Sequence, residues 1–484
     1  MDVLKHYVDL FNENDEEVYK NDIDNAHAYE WMKSEVPIFE CPDKDIERTY
    51  YFRYWTYRKH VKSTEDGYVI TEFLPKVPWS GKHNTINAAV GHHIYEGRWL
   101  KNSSKYLRDY IEFFLTVSEK NHHYSAWLID AIYKYFLVTG ELEIDKTLIS
   151  KLVAYYEEWE KTHGLPSGAF WSFDNYDAME YSISGTTPQG IRPTLNSYMC
   201  ADALALSKMA ALIGDTETAE VYLAKHRKLK DFINGELYED GFYRAYHYRE
   251  DEDTSLVTRT HKGESPRELI GYIPFMFGIP EKGREKCFDL LTDEKYFFTE
   301  YGLTTAEQCH PRFLYEVDHE CLWNGYIWPF ATSQTLTALK NVAFETEDDK
   351  YKEMFYALLK QYAVSHQRVR EDGKTVPWID EVRHPLRDEW SSRTILRDWG
   401  WKEGKGGYER GKDYNHSTFC DLVISGLCGV REDGDAIYAT PCIPKDWDHF
   451  RLLGLCFRGE SYDIVYDKTG DKYGVGKGLN IIKK

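Results

Sequence analysis

Two carboxylates far apart in the chain stand in surroundings suited to acid–base chemistry. Asp177 lies in residues 170–185, FWSFDNYDAMEYSISG, among rings and small polar side chains, and Glu381 lies in residues 377–390, PWIDEVRHPLRDEW. Cleaving a glycosidic bond takes such a pair: one group protonates the departing oxygen, and the other acts from the opposite face as base or nucleophile. A carboxyl that waits as the acid at neutral pH needs its pKa raised, and Phe170, Trp171, Phe173 and Tyr176 offer Asp177 the apolar cover that does this. The base must stay ionised, a condition that Arg383 or Arg387 beside Glu381 would meet. Other carboxylates compete: Asp174 and Glu180 flank Asp177, Asp380 adjoins Glu381, and Glu409 and Asp413 stand in the glycine-rich GKGGYERGKDYNH. A loop carboxylate is ordinarily a solvated charge or a helix cap, so Asp177 and Glu381 are the expected pair.

Composition agrees with a carbohydrate ligand. The 484 residues include 14 Trp, 38 Tyr and 23 Phe, more rings than a core alone needs. Sugars stack their apolar C–H faces on such rings, while Tyr and Trp tips hydrogen-bond the hydroxyls. Arg53, Trp55, Trp79 and His83 are candidate contacts on the N-terminal side. The basic aromatic run TYYFRYWTYRKHVK around them is isolated in a chain of formal net charge −20, which opposes nucleic acid or an anionic membrane as partner. No stretch reaches the length of a membrane-crossing helix, and the acidic N-terminus lacks the apolar core of a secretion signal, so a cytoplasmic protein is expected. Nine dispersed cysteines without a CxxC pair read as reduced thiols packed as small hydrophobes.

The elements that must position these residues are mostly helical. Apolar residues recur at three and four over 106–117, 124–138, 146–159, 195–213, 216–237, 327–342 and 350–366. Short Gly- and Asp-containing links, as at Gly140-Glu141 and Gly214-Asp215, predict antiparallel helical hairpins. Two regions read otherwise. Residues 50–77, rich in aromatic and β-branched side chains, predict extended or irregular chain leading to a site. From about Ala436 the pattern alternates, notably in SYDIVYD before the turn at 468–471, and predicts a small antiparallel sheet.

Successive hairpins with long aromatic loops fit a toroid of helices whose loops meet at one mouth. From about Tyr50 to the C-terminus the chain resembles six-hairpin, (α/α)6-barrel glycosidases related to glycoside hydrolase family 63, the mannosylglycerate hydrolase-like enzymes and, more remotely, trehalases. The motif DNYDAMEYSISG stands where those families carry their acid, which the resemblance places at Asp177. Glu381 stands four residues before Pro385, the spacing of their base, with Arg387-Asp388 in place of the usual Thr-Gly. CLWNGYIWPFATSQTL, residues 321–336, resembles the segment lining their sugar pocket, with Tyr326 where Pro is usual. The resemblance thus implies pocket walls at Trp323 and Trp328 and a hydroxyl contact at Asn324. Trp171, Glu180, Trp378 and Trp390, in the two carboxylate motifs, complete the expected contacts.

The expectation is therefore a mainly α, (α/α)6 toroid over residues 1–435 with a C-terminal β region over 436–484. It would act as an exo-glycosidase without organic cofactor or metal, inverting and directed to an α-linked glucoside or mannoside, these last features being implied by resemblance alone. Two other readings stand beside it. α-Barrels also host sugar epimerases that shuttle a proton with paired histidines, and His92, His93, His122, His123, His310, His319 and His416 supply material, although adjacent doublets point apart on a helix. A noncatalytic carbohydrate-binding barrel is the second, opposed by the retention of both carboxylates. In GHHIYEGRW, His92 and Glu96 are four apart but lack further metal ligands in sequence, and Glu96, Arg98 and Trp99 read as braces. The acidic run 250–253 lacks the spacing of a calcium loop.

Overall fold

The computed structural model describes residues 2–183, 190–247 and 265–484. Helices dominate: α1 (Val3–Glu13), α2 (Ala28–Glu35), α3 (Lys44–His60), α4 (Val90–Gly97), α5 (Ser103–Thr116), α6 (Leu128–Thr139), α7 (Lys146–His163), α8 (Pro193–Leu212), α9 (Thr216–Glu236), α10 (Ile273–Met276), α11 (Pro329–Thr346), α12 (Asp349–Val364) and α13 (Ser391–Asp398). Many begin where the sequence supplies a cap. Asp2, Asp43, Asp145, Asp215 and Asp348 accept first-turn backbone N–H groups of α1, α3, α7, α9 and α12. Pro193 and Pro329 open α8 and α11, where a missing N–H does no harm.

These helices fall into two kinds. α3, α4, α8 and α11 are buried nearly all round, whereas α5, α9 and α12 hide one face and expose the other. α8 packs on α6, α7 and α9, α11 packs on α10 and α12, and α3 packs on α1 and α12. The predicted hairpins are present in α8–α9, across Gly214-Asp215, and in α11–α12, whereas α6 and α7, linked through Gly140-Glu141, each pack on α8 rather than on one another.

The expectation for residues 50–77 needs correction over its first part. Residues 44–60 form one helix, because Asp43 caps it, Asp45 and Glu47 sit in its first turn, and Arg58, Lys59 and His60 sit in its last, matching the helix dipole. Its burial on every side explains why no helical stripe marks the sequence. Beyond it the chain does extend, as Val61–Thr64 pairs antiparallel with Gly67–Ile70.

The predicted C-terminal sheet is antiparallel, with His449–Phe457, Glu460–Asp467 and Gly478–Lys483 in that order. Ile38–Glu40 from the N-terminal region adds a fourth strand beside His449–Phe457. Asp467 closes the turn by accepting the N–H groups of Gly470, Lys472 and Tyr473. All nine cysteines are free thiols. Among the described residues no helix is long and apolar enough to cross a membrane.

Candidate active site

Backbone pairing stitches the three motifs together. Tyr181–Ser182 runs parallel to Leu322–Trp323, joining the Asp177 stretch to the tryptophan stretch. Ile327 and Arg383 exchange two 2.9 Å backbone hydrogen bonds, joining the tryptophan stretch to the Glu381 stretch. Between them opens a cavity of about 260 Å³, closed further by residues 72–88 on one side and 404–416 on the other. Trp323 and Trp328 stack at 4.1 Å and 17° in its wall. Trp328 Nε1 donates to Leu322 O at 2.6 Å, whereas Trp323 Nε1 is buried without a partner among the described residues.

Four glutamates line this cavity: Glu72, Glu180, Glu320 and Glu381. Burial pushes Glu180 up to about 7, and its Oε2 has no hydrogen-bond partner among the described residues. A carboxyl so placed, touched by no cation, is suited to hold a proton at neutral pH. Burial raises Glu381 further, to about 8, against the pull of the Arg410 guanidinium, which lies in direct contact with its Oε2 and favours the carboxylate. Both carboxyls bear electrostatically on Cys321 and Tyr124, which also line the cavity. Glu320 is held ionised: Arg410 donates to Oε1 at 3.3 Å and Lys405 to Oε2 at 3.0 Å.

Arg410 owes its position to a short segment anchored at nearly every residue. Glu409 is clamped by Arg393. Gly411 lies against Asp380, so close that a Cβ would sit 1.9 Å from its Oδ1. Lys412 pairs with Asp15, and Asp413 accepts from Lys59 at 2.7 Å. Lys59 also donates to Asp15 at 2.7 Å, so Asp15, Lys59, Lys412 and Asp413 form a buried cluster of alternating charge. The α3 lysine and the chain after α1 thereby brace a loop some four hundred positions later in the sequence, at a separation of 397 for Asp15 and Lys412.

The predicted site residues divide. Glu381, Glu180, Trp79, Trp323 and Trp328 meet in the cavity. Asp177 is buried beside it with both oxygens occupied: Ser125 Oγ donates to Oδ1 at 2.6 Å, and Arg192 Nε and Thr194 Oγ1 each donate to Oδ2 at 2.5 Å. Arg192 spans from there to Asp174 at 2.5 Å. Trp171 stacks on His163, and Phe173 packs on Tyr176. Arg53 and Trp55 point into the packing of α3, toward Thr56 and Asn12. Asn324 is buried and donates to Tyr315 O, Trp378 lies under Arg368, and Trp390 Nε1 donates to Gln367 O. His83 pairs with Asp66.

The expected cation beside Glu381 is corrected. Arg383 is turned to Ser365 O and Asp388, and Arg387 to Glu389, because the Ile327 pairing fixes that strand with Arg383 facing outward from Glu381. Arg410 fills the role instead, and Glu409 and Asp413 serve its loop. Glu72, Glu320, Arg410, Tyr414 and His416 were not among the sequence candidates for substrate contact, apart from His416 in the histidine reading. The signal available was GKGGYERGKDYNH, whose glycines mark a loop of unusual close approach.

The other motifs have structural partners. Glu96 accepts the backbone N–H groups of Cys420 and Asp421 at 2.9 Å, and Arg98 and Trp99 both donate to Asp421 Oδ1, so this stretch braces the short helix Phe419–Asp421. His92 and His93 are buried, and their rings lie 5.3 and 6.3 Å from that of His416, a convergence the helical spacing did not suggest. Among the described residues two groups bring ligating atoms within 4.8 Å of one another, His319–Glu320–Cys321 and Glu65–Asp66–His83. In each a lysine already occupies the carboxylate, Lys405 at Glu320 and Lys82 at Asp66. The acidic run 250–253 lies outside the described residues.

Comparison with known proteins adds to this geometry. Residues 82–417 match the family of the mannosylglycerate hydrolase MGH1-like glycoside hydrolase domain. A solved structure described as a sialidase superposes with a TM-score of 0.86 at 37% identity, over 99% of this chain and 42% of that one. The chain thus spans less than half the length of that protein. The GH78 family rhamnosidase of Bacillus sp. GL1 shares the fold at a TM-score of 0.53 and 12% identity, over 89% of this chain and 40% of that one. An α-L-rhamnosidase from Dictyoglumus thermophilum does so at 0.55 and 14%, over 90% and 43%. No protein of curated function matches the chain in sequence.

Proposed function

Because the chain belongs to the mannosylglycerate hydrolase MGH1-like glycoside hydrolase family, and is therefore a glycosidase acting on carbohydrate, we propose that it is an exo-acting, inverting enzyme that removes an α-linked neutral hexose such as glucose or mannose. Glu180 is the proposed acid and Glu381 the proposed base. The observation that carries this assignment is the contrast between the two: Glu180 is buried with a free oxygen and no cation, and Glu381 is held by Arg410. In the reaction Glu180 gives its proton to the departing glycosidic oxygen, and Glu381 takes a proton from the water that attacks the opposite face of the anomeric carbon. Asp177, the acid of the sequence reading, is assigned to positioning, since Ser125, Thr194 and Arg192 use both its oxygens to fix the turn that presents Glu180.

A cavity of about 260 Å³ walled by Trp323, Trp328, Trp79 and Phe330 suits one terminal sugar ring, which is the basis for exo action. Arg410 and Lys405, which line the cavity, are already engaged by Glu320 and Glu381 and so are not free to meet an anionic sugar, which argues against carrying over the activity named for the sialidase. The proposed organisation is an (α/α)6 toroid over residues 1–435, with the region 436–484 docked on it. The test is hydrolysis of α- and β-linked aryl glycosides of glucose, mannose and rhamnose, with the first-formed anomer read by proton NMR. Release of the inverted anomer from an α-glucoside or α-mannoside is expected; release of the retained anomer overturns the mechanism, and no release from any of them overturns the activity.

A further inference from the structure

Glu72, on the wall formed by residues 72–88, has no part in the bond cleavage proposed above. It follows the strand Gly67–Ile70 and lines the cavity together with His416. The backbone N–H of Asn415 donates to Glu72 O at 3.3 Å, tying the two segments together. Glu72 Oε1 lies 2.6 Å from His416 Nδ1, and the Tyr414 hydroxyl also contacts Nδ1. Both side chains are almost wholly buried, at 5% and 2% exposure. An oxygen and an imidazole nitrogen at that distance require a proton between them, since bare lone pairs repel. Burial raises Glu72 to about 8 and lowers His416 to about 3, which favours an uncharged imidazole.

With Nδ1 committed, the imidazole has one nitrogen left. His416 Nε2 is buried and makes no well-formed hydrogen bond among the described residues, the Ala88 backbone beside the ring being a weak partner at best. The ring is held by Phe330 at 4.8 Å, Tyr414 at 5.0 Å and His92 at 5.3 Å, so it has little room to turn in search of one. A buried polar atom left unpaired on a cavity-lining side chain is the kind of group that a polar ligand satisfies.

We propose that Glu72 and His416 form the hydroxyl-reading element of the sugar site, Glu72 locking the imidazole in one tautomer and Nε2 exchanging a hydrogen bond with a ring hydroxyl of the bound sugar. This rests on the cavity being the sugar site. A hydroxyl donates and accepts, so it suits Nε2 in whichever tautomer is locked. A sugar lacking that hydroxyl leaves Nε2 buried and unpaired, and sites built to hydrogen-bond a hydroxyl reject such analogues strongly. His416 is then a substrate contact and Glu72 a positioning residue.

The experiment is nitrogen NMR of 15N-histidine-labelled wild type, Glu72→Gln and Glu72→Ala at neutral pH, titrated in turn with D-glucose, D-mannose and L-rhamnose. His416 is expected as one neutral tautomer in wild type and in Glu72→Gln, whose amide can still meet Nδ1, and as a mixture in Glu72→Ala. At least one sugar is expected to move the Nε2 signal of wild type, with Glu72→Ala binding it about ten- to a hundredfold more weakly, the effect of one lost buried hydrogen bond. Mixed tautomers in wild type, an unchanged pattern in Glu72→Ala, or an Nε2 signal that none of the three sugars moves overturns the proposal. Should Glu72→Ala fail to fold, the wild-type titration alone decides the hydroxyl contact. These readouts need no turnover: hydrolysis without an Nε2 shift sinks only the hydroxyl-reading pair, and an Nε2 shift without hydrolysis sinks only the catalytic reading.

Discussion

Replacing Glu180 by Gln keeps the size of the side chain and removes the one thing the proposed acid must supply, a transferable proton. Burial raises this carboxyl to about 7 from 4.5, with no cation in contact and Oε2 unpartnered among the described residues. Burial thus favours the protonated form near neutral pH. A well-placed acid contributes about a hundred- to ten-thousandfold, or about 3–5.5 kcal/mol of barrier, and the unencumbered oxygen places Glu180 toward the upper end. The assay compares two leaving groups on the same sugar. With an alkyl glycoside, whose departing oxygen needs protonation, Glu180→Gln is expected to lose a thousandfold or more in kcat; with a dinitrophenyl glycoside, whose oxygen leaves as the anion, less than tenfold. The sign of the pH dependence follows: the acid must be protonated, so wild-type activity falls as pH rises through about 7, and the variant lacks that limb. A loss within tenfold on the alkyl glycoside, or an equal loss on both, refutes the assignment. Asp177→Asn, run in parallel, is expected to depress both substrates alike; a leaving-group-dependent loss there returns the acid to Asp177.

Two further predictions concern the loop that carries Arg410. Gly411→Ala puts a Cβ 1.9 Å from Asp380 Oδ1, so it should lower kcat more than tenfold and destabilise by about 1–3 kcal/mol, measured by hydrolysis and urea unfolding; unchanged activity would show that Arg410 does not need this seat. Asp15→Asn leaves Lys59 and Lys412 buried with one carboxylate between them and should destabilise by about 3–5 kcal/mol. Burial works to raise Asp15, but Lys59 and Lys412 outweigh it and hold the carboxyl below its usual range. Its stabilising effect is therefore complete above the unfolded value of about 3.9 and lost as pH falls toward the depressed folded value. The urea-midpoint gap between wild type and Asp15→Asn should accordingly narrow below about pH 4, and a gap constant down to pH 3 would contradict the pairing.

How much of this was legible in the sequence depended on the range of the interaction. Caps and hairpin links are local, so α7, α9 and α12 could be placed from Asp145, Asp215, Asp348 and the apolar spacing that follows each. α3 escaped, because a helix buried on all sides carries no stripe to read. Glu381 and the Trp323–Trp328 wall were indicated by the family resemblance of their motifs. Arg410 was not, since nothing near Glu381 in sequence marks a cation arriving from twenty-nine residues away. Glu180 and Asp177 stand three residues apart in one motif, and spacing alone does not tell which of them faces the cavity; the turn at Asp174–Asp177, followed by Ala178 at φ +58°, decides that.

The buried cluster of Asp15, Lys59, Lys412 and Asp413 bears on where the catalytic unit can be cut. The family match opens at residue 82, yet Glu72, Phe73 and Trp79 supply one wall of the cavity, and Asp15 and Lys59 hold the Arg410 loop from behind. A fragment trimmed to the matched span would keep Glu180 and Glu381 but leave Lys412 and Asp413 without their partners Asp15 and Lys59. Grafting this site onto another helical scaffold would meet the same obstacle, for its recipient must bring a matching pair of charges on a segment that precedes the recognised domain. Sequence drift in the first eighty residues is thus constrained by chemistry performed far downstream.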